Sequence, residues 1–541
     1  QCQNNLLLQL RLDYNKTRII MKYTYISLLF VAATTVFGSC TDKLDMLPDN
    51  RMTLKNPSDV SRLLVSAYPW TYTASILESY SDNTDELINP SWSAFSNFQE
   101  QAFNWEDVID NGYGDAPTDI FNGFWSAVAT ANKAIEHIEG VSNKNEYTQQ
   151  LGEAYLCRAY AVFQLSTVFC EAYTPERADK ALGMPYPTTP ENTVGVHYDR
   201  GTIGQTYKKI EEDLLKGLAL VGSSYSQPKY HFTPDAGNAF AARFYLYYQK
   251  YDKAIEYATK VLTANPENKL RNWTEWNKLS PNEQWQPDAY IDANAKCNLL
   301  LVSAYSAFGY YGGPGIAGAR YAHGEVLANT ETLRANGPWG NSASLGYVTW
   351  SNTASSKVIL RKIPFFYATT VSGGNSGAPY STYSAFNTDE TLMVRAEAYA
   401  LSGQYDKALA DLNTELKAFS KNPVTLTLQR IKDFYNSISY YTPTKPTPKK
   451  KFHTNFAIES STQEPLLQAI LQLKRLVTMH EGLRMQDVKR YGITIYRRSI
   501  ETNNTINPAT DSLTVNDPRV AIQIPQETIV AGLQANPRNK K

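Results

Sequence analysis

Five cysteines in 541 residues, two of them at positions 2 and 40, are too few and too scattered for the disulfide framework of a small secreted domain. Cys157 and Cys170 lie in one apolar helical run and read as core thiols, and Cys297 stands alone. Histidine is equally sparse. His137, His197, His231, His323, His453 and His480 are far apart, without an HExxH motif or a paired cysteine to make a zinc site, so each reads as a surface or core residue. Neither sign of charge prevails: 52 basic residues face 52 acidic ones, and no overall field recruits nucleic acid or an acidic surface. After Cys40 no run approaches the roughly twenty apolar residues that a membrane-spanning helix needs.

Aromatic residues are plentiful, with 37 Tyr, 20 Phe and 9 Trp. A ring face packs on the C–H face of a pyranose while a phenol hydroxyl bonds outward, and helical repeat proteins fill their inter-helix seams with tyrosine. Composition alone supports both readings equally.

The stretch Met21 to Cys40 (MKYTYISLLFVAATTVFGSC) carries a positive start at Lys22, an apolar run from Ile26 to Val36, and small residues at Gly38 and Ser39. This is a signal peptide whose cut would leave Cys40 first, and it resembles the lipobox of bacterial lipoproteins, with Phe37 where leucine is usual. Cys40 is then the lipidation site, and two or three acyl chains at about 0.8 kcal/mol per buried methylene make a lasting anchor. The alternative is an ordinary signal peptide cut after Ala33 or Ser39, with Cys40 a free thiol. Residues 1–20 read as a spurious upstream extension, 21–39 as the signal peptide and 40–541 as one domain.

Most of that domain has helical periodicity. Thr118 to Gly140 spaces Ile120, Phe124, Val128, Ala131, Ile135 and Ile138 at three- and four-residue intervals and closes on glycine. Asn145 to Glu171 predicts a second helix packed antiparallel on it, and Thr202 to Leu220 a third. Asp235 to Leu262 and Asp389 to Leu416 each predict a helix pair, broken near Gln249-Lys250-Tyr251 and at Gly403. Both pairs contain the same four residues, Tyr251-Asp252-Lys253-Ala254 and Tyr405-Asp406-Lys407-Ala408, and the first ends on Pro266. That is the tetratricopeptide pattern, in which a small alanine lets two helices approach and a tyrosine fills the elbow. The copies are far apart in sequence, so they must meet in space around a large insertion.

The insertion, roughly 269–387, changes character. It holds Trp273, Trp276, Trp285, Trp339 and Trp350, many glycines and prolines, and strand-like runs at Leu299 to Tyr305 and Val358 to Ile363. A second aromatic loop region spans 68–105. Loops on a rigid helical frame are where binding residues concentrate. The fold expected is mostly α, a scaffold of tetratricopeptide-type helix pairs (about 118–266 and 389–541) with loop-rich regions at about 68–105 and 269–387. Tyr440 to Lys451 reads as a solvated excursion.

Five ordered segments resemble the SusD/RagB family of outer-membrane nutrient-capture lipoproteins. They are LDMLPDN (44–50), FWSAVATANKAIEHI (124–138), the Arg-Ala-containing run 154–186, EGLRMQDVKRYG (481–492) and IPQETIVAGLQANP (524–537). Cys170-Glu171-Ala172 departs from the usual Gly-Asp pair, and Arg538 from the usual tyrosine after Asn-Pro. The resemblance implies a SusD-like fold and a lipid-anchored protein of the outer membrane facing the cell exterior. It also implies a non-catalytic role without a cofactor: capture of a glycan, or in some members a peptide, and delivery to a TonB-dependent, SusC-like transporter.

For ligand contact the sequence singles out aromatic loop residues. Trp92, flanked by polar and small residues in PSWSAFSN, has little local reason to be buried, and Asn97 is placed to donate to sugar hydroxyls. Trp70 and Tyr72 follow the helix-ending Pro69. Tyr310, Tyr311 and Trp339 sit in glycine-rich loops, and Arg320 adds hydrogen bonds. Other motifs carry less. Asp82, Asp85 and Glu86 in SDNTDEL read as a solvated turn and helix cap rather than an acid pair. Gly313, Gly315 and Gly318 match G-x-G-x-x-G, but Ser306 to Gly312 separate them from the strand and Pro314 sits inside. Asp110 to Asp115 offers calcium ligands without the final glutamate of an EF-hand and reads as a tight turn. Glu481, Arg484, Asp487 and Arg490, at helical spacing, read as a buried or interfacial ion-pair ladder. A surface glycoside hydrolase and a repeat-based interaction scaffold remain the alternatives.

Overall fold

The computed structural model describes residues 54–538 except 89–94, 111, 113, 194, 342–344 and 370–376. Cys40, the segments 1–20 and 21–39, and Trp92 therefore lie outside the described residues. From Leu54 onward the chain is one compact unit, mostly helical with a few small sheets.

Helix Pro117–Gly140 begins on a proline at its first position, where the missing N–H costs nothing, and carries Asp119 in its first turn. Its periodic apolar residues are all buried. Its partner, Thr148–Phe169, is buried nearly all round, including Glu153, Arg158 and Gln164, so it is the central helix rather than an amphipathic surface one. Ile203–Leu220 packs beside it behind a capping box made by Thr202 and Gln205.

Two polar residues within the family-like runs, Asn132 and Arg158, have a structural explanation. Arg158 donates to Asp213 at 2.6 and 2.9 Å and to Asn132 Oδ1 at 2.8 Å. Asn132 donates in turn to the carbonyls of Pro187 and Thr189, at 3.1 and 3.2 Å. A buried guanidinium and amide thus hold the irregular stretch 187–189 against the helices.

The helix pairs are Pro234–Tyr247 with Tyr251–Leu262, and Thr388–Leu401 with Tyr405–Ala418. Gln249 and Gly403, with φ of 58° and 74°, make the elbows. Ala254 and Ala408 are fully buried. The copies meet: helix Thr388–Leu401 packs on Tyr251–Leu262, and Arg243 donates twice to Glu390, at 2.7 and 2.8 Å.

The insertion folds around a three-stranded antiparallel sheet. Strand Gly377–Asn387 is central, with Asn298–Tyr305 and Phe366–Thr369 on its two sides. The expected strand at 358–363 is extended only over Lys357–Ile359. Beyond it, Leu360 N donates to His480, Arg361 to the carbonyls of Pro281 and Glu283, and Lys362 to Val477 O and Glu481, so ladder pairing gives way to tertiary bonds.

The acidic 82–86 turn is not solvated, and the 440–451 excursion is solvated except at Lys450. Asp82 accepts a two-point contact from Arg484 (2.7 and 2.9 Å) and Asp85 one from Arg498 (3.0 and 3.1 Å). Lys450, at the end of the 440–451 stretch, is buried between Glu331 and Asp82. Opposite charges drawn from distant parts of the chain satisfy one another there, which no local pattern reveals. The four charged residues of the 481–492 ladder are also buried, each bonded to another element: Glu481 to Lys362 and Tyr290, Arg484 to Asp82, Asp487 to Lys474, and Arg490 to Glu397.

Candidate functional site

The sheet register builds a row of rings. Tyr305 lies opposite Tyr380, and Tyr380 opposite Phe366, and directly paired residues project from one face of a sheet. The Phe366 and Tyr380 rings are 5.2 Å apart. Trp70 extends the row: its carbonyl accepts from Tyr305 N at 2.8 Å, and its ring meets that of Tyr305 edge-on at 6.3 Å. Trp70 is 38 % exposed and Tyr305 45 %. Ser303 and Thr382, the next pair on the same face, hold their hydroxyls 3.0 Å apart and set hydrogen-bonding groups beside the rings.

Beneath this face lies a buried polar layer. The Tyr72 ring stacks on Tyr383 at 4.2 Å and is 4 % exposed. Ser306 Oγ lies 2.6 Å from the Tyr383 hydroxyl and donates to Asp115 at 2.7 Å, and Ala307 N donates to the same carboxyl at 3.0 Å. Burial pushes the Asp115 carboxyl up to about 8, against these hydrogen bonds. The strand end is thereby anchored from below, so the rings above it are held by the frame.

Past the strand, the short helix Phe308–Tyr311 places Tyr310, half exposed, with its ring 5.5 Å from Phe365. Gly309 makes this possible: a Cβ there would lie 2.3 Å from the Pro364 carbonyl. Tyr311 and Tyr321 line a cavity of about 30 Å³ between this turn and the second aromatic group. In that group Arg320 lies 4.9 Å over the exposed Phe95 ring while donating to Glu86 at 2.7 and 2.9 Å, and Tyr321 meets Phe95 edge-on at 5.7 Å. Asn97 is exposed at the start of helix Asn97–Phe103, behind a capping box made by Ser96 and Gln99.

Of the residues singled out in the sequence, Trp70 belongs to the ring row, Tyr310 meets Phe365, the chain neighbour of Phe366, with Tyr311 5.4 Å from it, and Arg320 and Asn97 fall in the Phe95 group. Tyr72 and Trp339 differ from expectation, since both are core rings. Trp339 is 2 % exposed. Gly337 and Gly340 bond to each other at 2.9 Å in both directions, and the tryptophan folds back over Gly337, where a Cβ would lie 2.4 Å from the ring. The glycine gives the ring room to be buried rather than presenting it. Tyr305, Tyr380, Phe366 and Phe95 were not singled out. The alternation of Ser303 and Tyr305 at the strand end was the available signal, but the partner strands that complete the row lie too far along the chain to be paired by inspection.

The larger concavities are elsewhere. One of about 680 Å³ lies between Trp125, Pro187, Tyr198 and Leu533, and one of about 590 Å³ beside Arg177 and Asn455. The ring row is an open surface, a shape that suits an extended ligand better than an enclosed small molecule. Among the described residues, no three His, Cys, Asp or Glu side chains gather in a metal-binding arrangement.

Comparison with known proteins adds the following. Residues 42–246 match a family model described as starch-binding and associating with the outer membrane. A SusD-like protein of Formosa agariphila is 24 % identical over 271 residues, which cover 48 % of this chain and 49 % of that protein, so the match spans about half of its length. A SusD superfamily protein of Bacteroides thetaiotaomicron superposes with a TM-score of 0.61 at 18 % identity, over 90 % of this chain and 100 % of that one. A putative sugar-binding protein of Bacteroides vulgatus does so with a TM-score of 0.60 at 17 % identity, over 90 % and 99 %. These likenesses show the fold.

Proposed function

We propose that this chain is a member of the SusD/RagB family, which it resembles in its family-model match and its fold, and that it is a cell-surface glycan-binding protein, anchored to the outer membrane through Cys40. It captures oligosaccharide or polysaccharide without cleaving it and passes it to a TonB-dependent transporter. The observation that carries this reading is the row of exposed Trp70 and Tyr305 and half-buried Tyr380 and Phe366, with hydroxyls beside it. Stacking one ring on a sugar contributes on the order of a kcal/mol, so two or three rings supply about 2–3 kcal/mol, and hydrogen bonds to the hydroxyls beside them are needed to reach the roughly 4 kcal/mol of a millimolar dissociation constant, a range suited to capture and release. Tyr310 and Tyr311, next to Phe365, and the separate group of Phe95, Asn97 and Arg320 are further candidate contacts, and Trp92 is one from its sequence setting alone.

Two carboxylates near the rings are engaged in contacts within the protein, which fits a binding role. Glu86 is tied to Arg320, and Asp115 lies beneath the sheet, bonded to Ser306 and Ala307. The test is retardation of the chain from Thr41 onward in gels containing a panel of polysaccharides, with calorimetry on glycans and peptides. Retention on one glycan that Trp70→Ala and Tyr305→Ala both lose is the expected result. Heat released by peptides alone makes this a peptide-capture protein, and newly formed reducing ends make it a hydrolase.

A further inference from the structure

The glycine-rich run that resembles a dinucleotide loop has a different occupant. Lys357, the first residue of strand Lys357–Ile359, is fully buried. Its ammonium donates to the carbonyls of Tyr311 at 2.8 Å, Gly313 at 3.1 Å and Ala317 at 2.5 Å. An ammonium has three hydrogens, and these three bonds use them all. The loop needs such a holder. Gly315 and Gly318 turn it through left-handed backbone, with φ of 100° and 62°, and the bond from Ala319 N to Ile316 O is a single turn rather than a ladder.

The neighbours of Lys357 are committed elsewhere. It shares the 30 Å³ cavity with Glu78 from helix Ala74–Tyr80, with Tyr311 and Tyr321, and with His323 and His480. Glu78 accepts from Asn83 and from Gly482 N. His323 lies between Val358 O and Thr332, and His480 accepts from Leu360 N. Burial pushes the lysine down to about 7. A buried cation bonded to carbonyls rather than to a carboxylate is expensive, and an apolar side chain would fill the same space at lower cost. Its use here is explained by what it holds.

We propose that Lys357 is a positioning residue of the ligand face: its ammonium occupies a carbonyl cage made by residues 311–317 and thereby fixes Tyr310 and Tyr311 beside the ring row. The functional half of this assignment rests on the glycan-binding reading of that face. The cage itself does not.

The test compares the full chain with its Lys357→Ala variant, which leaves a hole of propylammonium size. Hydrogen exchange of the 310–318 amides is expected to speed up ten-fold or more while helix Thr148–Phe169 is unchanged. Added n-propylammonium should restore protection, and n-propanol of the same shape should not. The dissociation constant for the bound glycan should rise at least five-fold and return with the amine. Unchanged loop exchange, or equal rescue by the alcohol, overturns the cage. A loosened loop with unchanged glycan affinity overturns its role at the ligand face. If wild type binds no glycan, the reading of that face has failed, and the exchange and rescue results still decide the cage. If Lys357→Ala does not fold, Lys357→Met keeps the volume without the donors, and wild-type loop exchange in that variant overturns the cage as well.

Discussion

Trp70 and Tyr72 stand two residues apart with opposite fates, the first 38 % exposed beside Tyr305 and the second 4 % exposed and stacked on Tyr383. Tyr72→Ala is therefore expected to destabilise the fold by about 3–5 kcal/mol in denaturant titrations, whereas Trp70→Ala leaves the unfolding midpoint in place and weakens glycan binding. Asp115 makes a second distinction at this scale. Burial raises its carboxyl from 3.8 to about 8, so between those values the folded state holds a proton that the unfolded state has released. Stability then falls as pH rises through that window, by at most about 1.4 kcal/mol per unit. Asp115→Asn cannot titrate, and its Tm should vary less with pH between 5 and 8 than that of wild type. Sequence pointed to rings near the site but not to which ones are exposed, because exposure at 70, 72 and 339 depends on strands and turns contributed by other parts of the chain.

Helices were more legible than strands. The repeated Tyr-Asp-Lys-Ala placed both elbows, and its two alanines are fully buried where the helices approach. Ala408→Leu should overpack that seam and cost about 1–3 kcal/mol, measurable as a lower denaturation midpoint. Helix Arg484–Tyr491 was readable as a buried or interfacial ion-pair ladder only from the spacing of its charges. Arg484, Gln486, Asp487 and Arg490 are all inside, and hydrophobic periodicity is silent about a helix whose core face is ionic. The same holds for Lys357, a lysine in a strand that local pattern would leave in solvent.

Across the whole molecule, ion pairs join what the chain separates. Glu397, in the second helix pair, accepts from Lys474 at 3.0 Å, Arg490 at 2.6 Å and the Tyr491 hydroxyl at 2.9 Å. Burial alone would raise this carboxyl, but Arg490 and Lys474 outweigh it and hold it at about 2. With the folded value below the unfolded one, its contribution is present above about pH 4.5 and is lost as pH falls toward 2. Glu397→Gln leaves two buried cations short of a partner and should cost about 3–5 kcal/mol at neutral pH, with a shallower loss of stability below pH 4.5 in acid titrations followed by circular dichroism. The contacts of Asp82 and Asp85 with Arg484 and Arg498, and of the carbonyls of Ser79, Tyr80 and Ser81 with Arg497, run across about four hundred residues of chain. Seen as a sequence of events, those contacts form last. A chain made from its N-terminus carries Ser79 to Asp85 early and the arginines that hold them late, so that segment has no fixed partner until synthesis is nearly over.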